Sequence, residues 1–348
     1  MSKTLTDTTV LDLSKADGNI LINSALINKG LISPRILSSL PSKDSYINLK
    51  QELAKYYKYS VEGITLGNGS DELIDIIARV KKGTSALTLL PTFERLFEVS
   101  QKYNYKSYTI SLPKNNSYLY TDVFHKEVIS KAISINPDII WISSPDNPTG
   151  SIIDPAKIRD ISLKNNEAWV VIDCAFADIA NESLISDYSK LISECRNLII
   201  LGSFSKTWGI AALRIGFALA DPNLSKLFNN ESQMFNVNSI ASEIAKLCLE
   251  NSSYRNDAFN KIYRSIDQIK KITESKSSYE IIYNSPINLF CIRNINNPDL
   301  HTDLLKNGIK TKSLDNMPGM QKMGYCRILI PDSKTNLKKL ISSLLLLA

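Results

Sequence analysis

Cations that follow apolar runs are the residues in this sequence best suited to chemistry. Ser203-Phe204-Ser205-Lys206 comes directly after the apolar run 198–201, and Arg214 follows in Leu213-Arg214-Ile215-Gly216. Two serines and two cations within twelve residues have the composition of a phosphate cradle. Arginine offers a planar fork to phosphate oxygens, and serine hydroxyls donate to them. A lysine beside a bound phosphate that also carries an aldehyde is a natural Schiff-base nucleophile. Taken alone, a lysine in a turn after a strand is more often a solvated side chain.

Four further features extend this reading. Asp173 ends the run Trp169-Val170-Val171-Ile172, where open α/β sheets place their ligands. An ionised carboxylate there is costly without a cationic partner. A protonated ring nitrogen would serve, and so would an ordinary salt bridge; a helix cap is a third option. Pro145-Asp146-Asn147-Pro148-Thr149-Gly150 is a turn by composition, and Asn147 could also donate to a phenolic oxygen of a bound ring. Gly67-Asn68-Gly69-Ser70-Asp71-Glu72 opens a helix, and free N–H groups at a helix start bind phosphate. Asp71 and Glu72 also suit a first turn on dipole grounds alone. Phe93 could stack on a flat ring or simply fill core. Each signal is weak to moderate by itself; their joint order is far more specific.

Elements must carry these residues to one place. Leu49, Leu53, Tyr56 and Tyr57 follow a helical period across 46–57. Leu73, Ile76, Ile77 and Val80 mark an amphipathic helix after the glycine-rich turn. Short apolar runs at 86–90, 108–112, 139–142, 169–172, 198–201 and 215–220 are bounded by turns and separated by polar or helical segments. Continuous apolarity in such runs predicts a mainly parallel α/β sheet covered on both faces. Residues 240–275 read as helical. The runs 279–283, 288–292 and 327–330 read as strands of a smaller α+β unit that closes with a helix over 335–347. The expected division is an irregular arm (1–40), a large domain (41–240) and a small domain (241–348). The loop 311–325 is expected to be mobile, bordering the site or lying on the surface.

These blocks, in this order, resemble fold-type I pyridoxal-phosphate (PLP) enzymes of the aminotransferase class I/II superfamily, and the histidinol-phosphate aminotransferase group in particular. The blocks are GNGSDEL, PTF, PDNPTG, SFSKTWGIAALRIGFA and CRILI. The resemblance implies a seven-stranded sheet and assigns roles. Lys206 would form the Schiff base with PLP and act as general base, and Asp173 would pair with the pyridine nitrogen. Ser70, Asp71, Ser203, Ser205 and Arg214 would hold the phosphate. Phe93 would stack on the ring, Asn147 would bond its phenolic oxygen, and Arg327 would clamp the substrate carboxylate. There are departures. Phe176 stands where the family has a tyrosine that bonds the phenolic oxygen. Lys312 stands where Gly-Ile-x-x-Arg has its arginine. Tyr46 is the candidate to reach a neighbouring subunit's cofactor phosphate.

The totals narrow the alternatives. The chain has 348 residues, 43% hydrophobic and 22% charged, with net charge +6. No basic run suggests nucleic acid, and no apolar run suggests a membrane span. Five scattered cysteines without CxxC spacing read as reduced thiols of a cytoplasmic protein. Two distant histidines, His125 and His301, offer no metal site. The leading expectation is a homodimeric aminotransferase acting on an amino acid or amino phosphate. The alternative is a decarboxylase of the threonine-phosphate type. A third reading is a PLP-binding protein without turnover.

Overall fold

The computed structural model describes residues 10–16, 20, 22 and 37–348. Its strands are β1 (Leu11–Asp12), β2 (Ile64–Gly67), β3 (Ser85–Leu90), β4 (Lys106–Ser111), β5 (Ile139–Ser143), β6 (Trp169–Asp173), β7 (Leu198–Ser203), β8 (Gly216–Ala220), β9 (Tyr279–Ile282), β10 (Leu289–Asn294), β11 (Ile309–Lys310), β12 (Lys312–Ser313) and β13 (Cys326–Leu329). Seven of them form one sheet in the order β2-β8-β7-β6-β5-β3-β4. All run parallel except β8, which is antiparallel to both β7 and β2. The fold is therefore the expected α/β architecture.

Period-two alternation explains the layers. Ile140, Ile142, Val170 and Ile172 point to one face, where Leu49, Phe124, Ile158 and Tyr188 meet them. Ile139, Trp141, Val171 and Ile199 point to the other, where Leu73, Ile77, Leu96 and Phe228 close the core. Helices on both sheet faces are why β5 and β7 are buried at every position and apolar up to their last residues. β4 departs from that expectation. It is one edge of the sheet, and its residues are half-buried or exposed. β2 was not evident in the sequence. Four residues leading into a glycine turn leave too short a pattern to read.

A second sheet, in the order β12-β13-β10-β9, is antiparallel. The helices Asn256–Glu274 and Lys334–Leu346 contribute to its core. The helical stretch 240–275 is two helices, broken at Asn251–Arg255. The arm is more ordered than expected where it is described. β1 pairs with β11, and the Leu13 carbonyl accepts from Leu329 N at 2.9 Å. We propose a division close to the one expected from sequence, with an arm (1–40), a large unit (41–240) and a small unit (241–348). The Ser239–Glu250 helix packs on Lys43–Tyr57 of the large unit. No described helix is long and apolar enough to cross a membrane.

Candidate active site

Parallel strands deliver the ends of β5, β6 and β7 to one edge. Ser143 lies in register with Asp173, and Asp173 with Leu201. The cavity there is lined by ten residues singled out in the sequence: Ser70, Asp71, Phe93, Asn147, Asp173, Ser203, Ser205, Lys206, Arg214 and Arg327. It also takes in Ala16, Glu94, Ser143, Ala175, Phe176, Lys312 and Met317. Sequence reasoning missed Glu94 and Ser143. Glu94 directly follows Phe93, and that adjacency was the available signal.

One end of the cavity is a cradle. Ser70 and Asp71 occupy the first turn of the Gly69–Lys81 helix, where backbone N–H groups lack helical acceptors. Arg214 donates from Nη1 to Ser205 Oγ at 3.3 Å and from Nη2 to Asp71 Oδ2 at 2.9 Å. Ser203 Oγ accepts from Ser205 N at 3.1 Å. Two glycines permit the close approach. A Cβ at Gly69, whose φ is 76°, would stand 2.5 Å from Arg214 Nη2. A Cβ at Gly216 would stand 2.5 Å from Ser70 N. Arg214 itself has φ 51°, a conformation few non-glycine residues hold without surrounding constraint.

Two buried carboxyls lie near each other here, Asp173 in the cavity lining and Asp146 outside it. Asp173 is 4% exposed, and its Oδ1 accepts from Ala175 N at 3.0 Å. Burial pushes its carboxyl up to about 6; Asp71 adds to the rise, while the Ala175 N–H and Lys206 oppose it. Asp146 is pushed up to about 7, again mainly by burial, against hydrogen bonds from Thr149. Lys206 is the cation that acts on Asp173 among the described residues, and burial outweighs it.

The other end holds Arg327, 5% exposed. Its Nη1 donates to Asn147 Oδ1 at 2.9 Å and its Nη2 to the Ser14 carbonyl at 3.0 Å. Both partners are neutral, and Nε finds no hydrogen-bond partner among the described residues. Burial pulls its pKa down. A buried guanidinium with neutral partners is costly until an anion reaches it. Asn147 spends its carbonyl oxygen on Arg327, which leaves its amide N–H2 as the donating end. Beside Arg327, Lys312 Nζ pairs with Glu94 Oε2 at 2.8 Å.

Other expectations resolve as follows. Phe176 is buried against the small-unit core while lining the cavity, so it offers no hydroxyl there. Tyr46 donates to Asn229 Oδ1 of its own chain at 3.3 Å and lies outside the cavity lining. The 311–325 loop borders the site through Lys312 and Met317. It is tied by Leu314 N to Tyr325 O at 2.9 Å and by Gly324 N to Asp315 Oδ1 at 2.9 Å, so it is a braced wall.

Trp208, which caps the one-turn helix Phe204–Thr207 carrying Lys206, belongs to a network the sequence did not reveal. Asp178 Oδ2 accepts from Tyr57 OH at 2.8 Å and from Trp208 Nε1 at 3.1 Å. The fully buried Arg255 stacks 3.7 Å from the Trp208 ring and donates to Tyr56 OH at 2.7 Å. These residues come from distant segments, and no motif flags them.

A helix-start cradle, a lysine at a strand end and a buried carboxylate fit PLP. The glycines let Arg214 and the helix start pack closely around a seat for its phosphate, and Asp173 has the character to meet a ring cation. The fold is that of a fold-type I PLP enzyme. The chain belongs to the aminotransferase class I and II family, whose profile matches residues 22–338, and it is a PLP-dependent aminotransferase. It is 31% identical to a histidinol-phosphate aminotransferase of Parabacteroides distasonis, over 83% of this chain and 81% of that protein. Its fold matches a histidinol-phosphate aminotransferase from Clostridium acetobutylicum with TM-score 0.85 at 20% identity, covering 96% of this chain and 98% of the other. It also matches an L-threonine-O-3-phosphate decarboxylase from Porphyromonas gingivalis with TM-score 0.82 at 21% identity, covering 97% and 99%.

Proposed function

We propose that this aminotransferase moves an amino group between an amino acid or amino phosphate and a 2-oxo acid, with the residue roles that follow. The observation that carries the reading is the placement of Lys206, Asp173, Arg214 and Arg327 around one cavity, with the two arginines held by separate partners. When bound, PLP supplies an electrophilic aldehyde and an electron sink.

The chain's own residues do the rest. Arg214, Ser203, Ser205 and the N–H groups of Ser70 and Asp71 bind the phosphate. Asp173 balances the ring nitrogen's charge, and Phe93 covers a ring face. The Asn147 amide donates to the ring's phenolic oxygen. Arg327 forks onto the substrate carboxylate and so orients the bond to be broken. Lys206 anchors the cofactor and moves the proton at the substrate Cα.

We assign the chain to a homodimer, as the family resemblance implies, and to the cytoplasm, in keeping with five buried cysteines that form no disulfide. Sedimentation of the active enzyme as a strict monomer would overturn the dimer. The activity is tested by incubating the PLP-loaded protein with amino acids and amino phosphates. Oxo-acid formation with conversion of the cofactor to pyridoxamine phosphate is expected. CO2 release in its place would indicate a decarboxylase, and binding without product would deny both.

A further inference from the structure

We propose that the Glu94–Lys312 ion pair sets the charge of the preferred substrate: an α-amino acid with an uncharged side chain, ahead of one carrying a phosphate or a second carboxylate. The inference rests on the aminotransferase reading above and deepens it.

Lys312 on β12 and Arg327 on β13 are cross-strand partners in register, and both line the cavity. Two cations side by side on one wall would suit a doubly charged anion. Glu94 changes that. It opens the Glu94–Lys102 helix of the large unit, directly after Phe93, and reaches Lys312 Nζ at 2.8 Å. The two cations then differ in kind. Lys312 already has a carboxylate, whereas Arg327 has the Asn147 amide oxygen and a backbone carbonyl. An anion brought to Arg327 gains a counter-charge; one brought to Lys312 meets the Glu94 carboxylate. Specificity is often built from such a repulsive element. The nearby Ala16, Phe176 and Met317 add apolar surface, which suits an uncharged side chain.

The test uses the holoenzyme and two probes that differ in one charge, succinate and its monoamide succinamate, read by calorimetry. The parent should bind succinamate at least as tightly as succinate. Glu94→Gln frees Lys312 and should tighten succinate by roughly tenfold to a hundredfold while moving succinamate less than about threefold. Glu94→Ala should give the same shift, and adding Lys312→Gln should abolish it. In turnover, the ratio of kcat/KM for L-glutamate over L-glutamine should rise in Glu94→Gln. A parent that already prefers succinate, an equal change for both probes, or a gain that survives Lys312→Gln would overturn the proposal. Binding is read without turnover, so absence of transamination would remove the functional reading and leave this contrast measurable.

Discussion

The two ends of the cavity are built differently. At the cofactor end the residues sit at strand ends and helix starts of the central sheet. Ser203, Ser205, Lys206 and Arg214 lie on one stretch of chain, and Asp173 closes the adjacent strand. At the substrate end Arg327 is held by Asn147, 180 positions away, and by the Ser14 carbonyl, 313 positions away. Lys312 meets Glu94 across 218 positions. The first end is set by the parallel sheet and two close-packed glycines. The second exists only once the arm, the large unit and the small unit have come together. Cofactor binding should therefore tolerate changes that rewrite substrate choice.

The largest expected effect falls on Lys206. Lys206→Ala should lower turnover by about a thousandfold or more, since it removes both the anchor and the proton carrier. Borohydride should then fix no cofactor mass on the peptide, while phosphate-end contacts retain some PLP noncovalently. Fixation on another lysine of the parent would break the assignment at its root.

Next comes the packing of the cradle. Gly216→Ala places a Cβ at 2.5 Å from Ser70 N, so β8 or the helix start must shift. PLP affinity should fall by about a hundredfold or more, by analogy with the cost of small misplacements in a bound site. An unchanged dissociation constant, measured by fluorescence titration, would mean that this close approach does not shape the seat.

Asp173 links the cofactor end to stability. Its folded pKa is raised to about 6, against about 3.9 in an unfolded chain. The folded state therefore holds the extra proton, and apoprotein stability falls as pH rises from about 4 through 6. At about 1.4 kcal/mol per unit the penalty at pH 7 is about 3 kcal/mol. Asp173→Asn should make the apoprotein more stable than the parent by up to about that amount at pH 7, and no more stable below pH 4. PLP binding should also weaken, because the ring nitrogen loses its counter-charge. Denaturant melts of both apoproteins from pH 4 to 7 check the first expectation; parallel pH profiles would contradict it.

The same contrast governs what could be read from sequence. Interior strands were legible because burial on both faces demands unbroken apolar runs, as at β5 and β7. Phe93, Asn147, Asp173 and Lys206 were legible as candidates because each ends or follows such a run, Ser70 and Asp71 because of the glycine-rich turn before them, and Arg214 because of its spacing from Lys206. β2 was not, being four residues long. Arg327 was found through resemblance to a family block, because an arginine near a strand start carries no local sign of a distant amide and carbonyl. Glu94 and the Asp178–Arg255 network went unseen for that reason. Their meaning lies in partners that only the folded chain supplies.

The central claim is that two arginines serve two separate anions, Arg214 the cofactor phosphate and Arg327 the substrate carboxylate. The most direct measurement is a pair of titrations on Arg327→Lys, one with PLP and one with substrate. A point charge cannot reproduce two parallel hydrogen bonds. Substrate binding should therefore weaken by about 1.5–3 kcal/mol, the range for hydrogen bonds to charged groups, while PLP affinity stays close to that of the parent. Equal losses in both titrations would contradict the account and make Arg327 a support of the fold or of the cofactor seat.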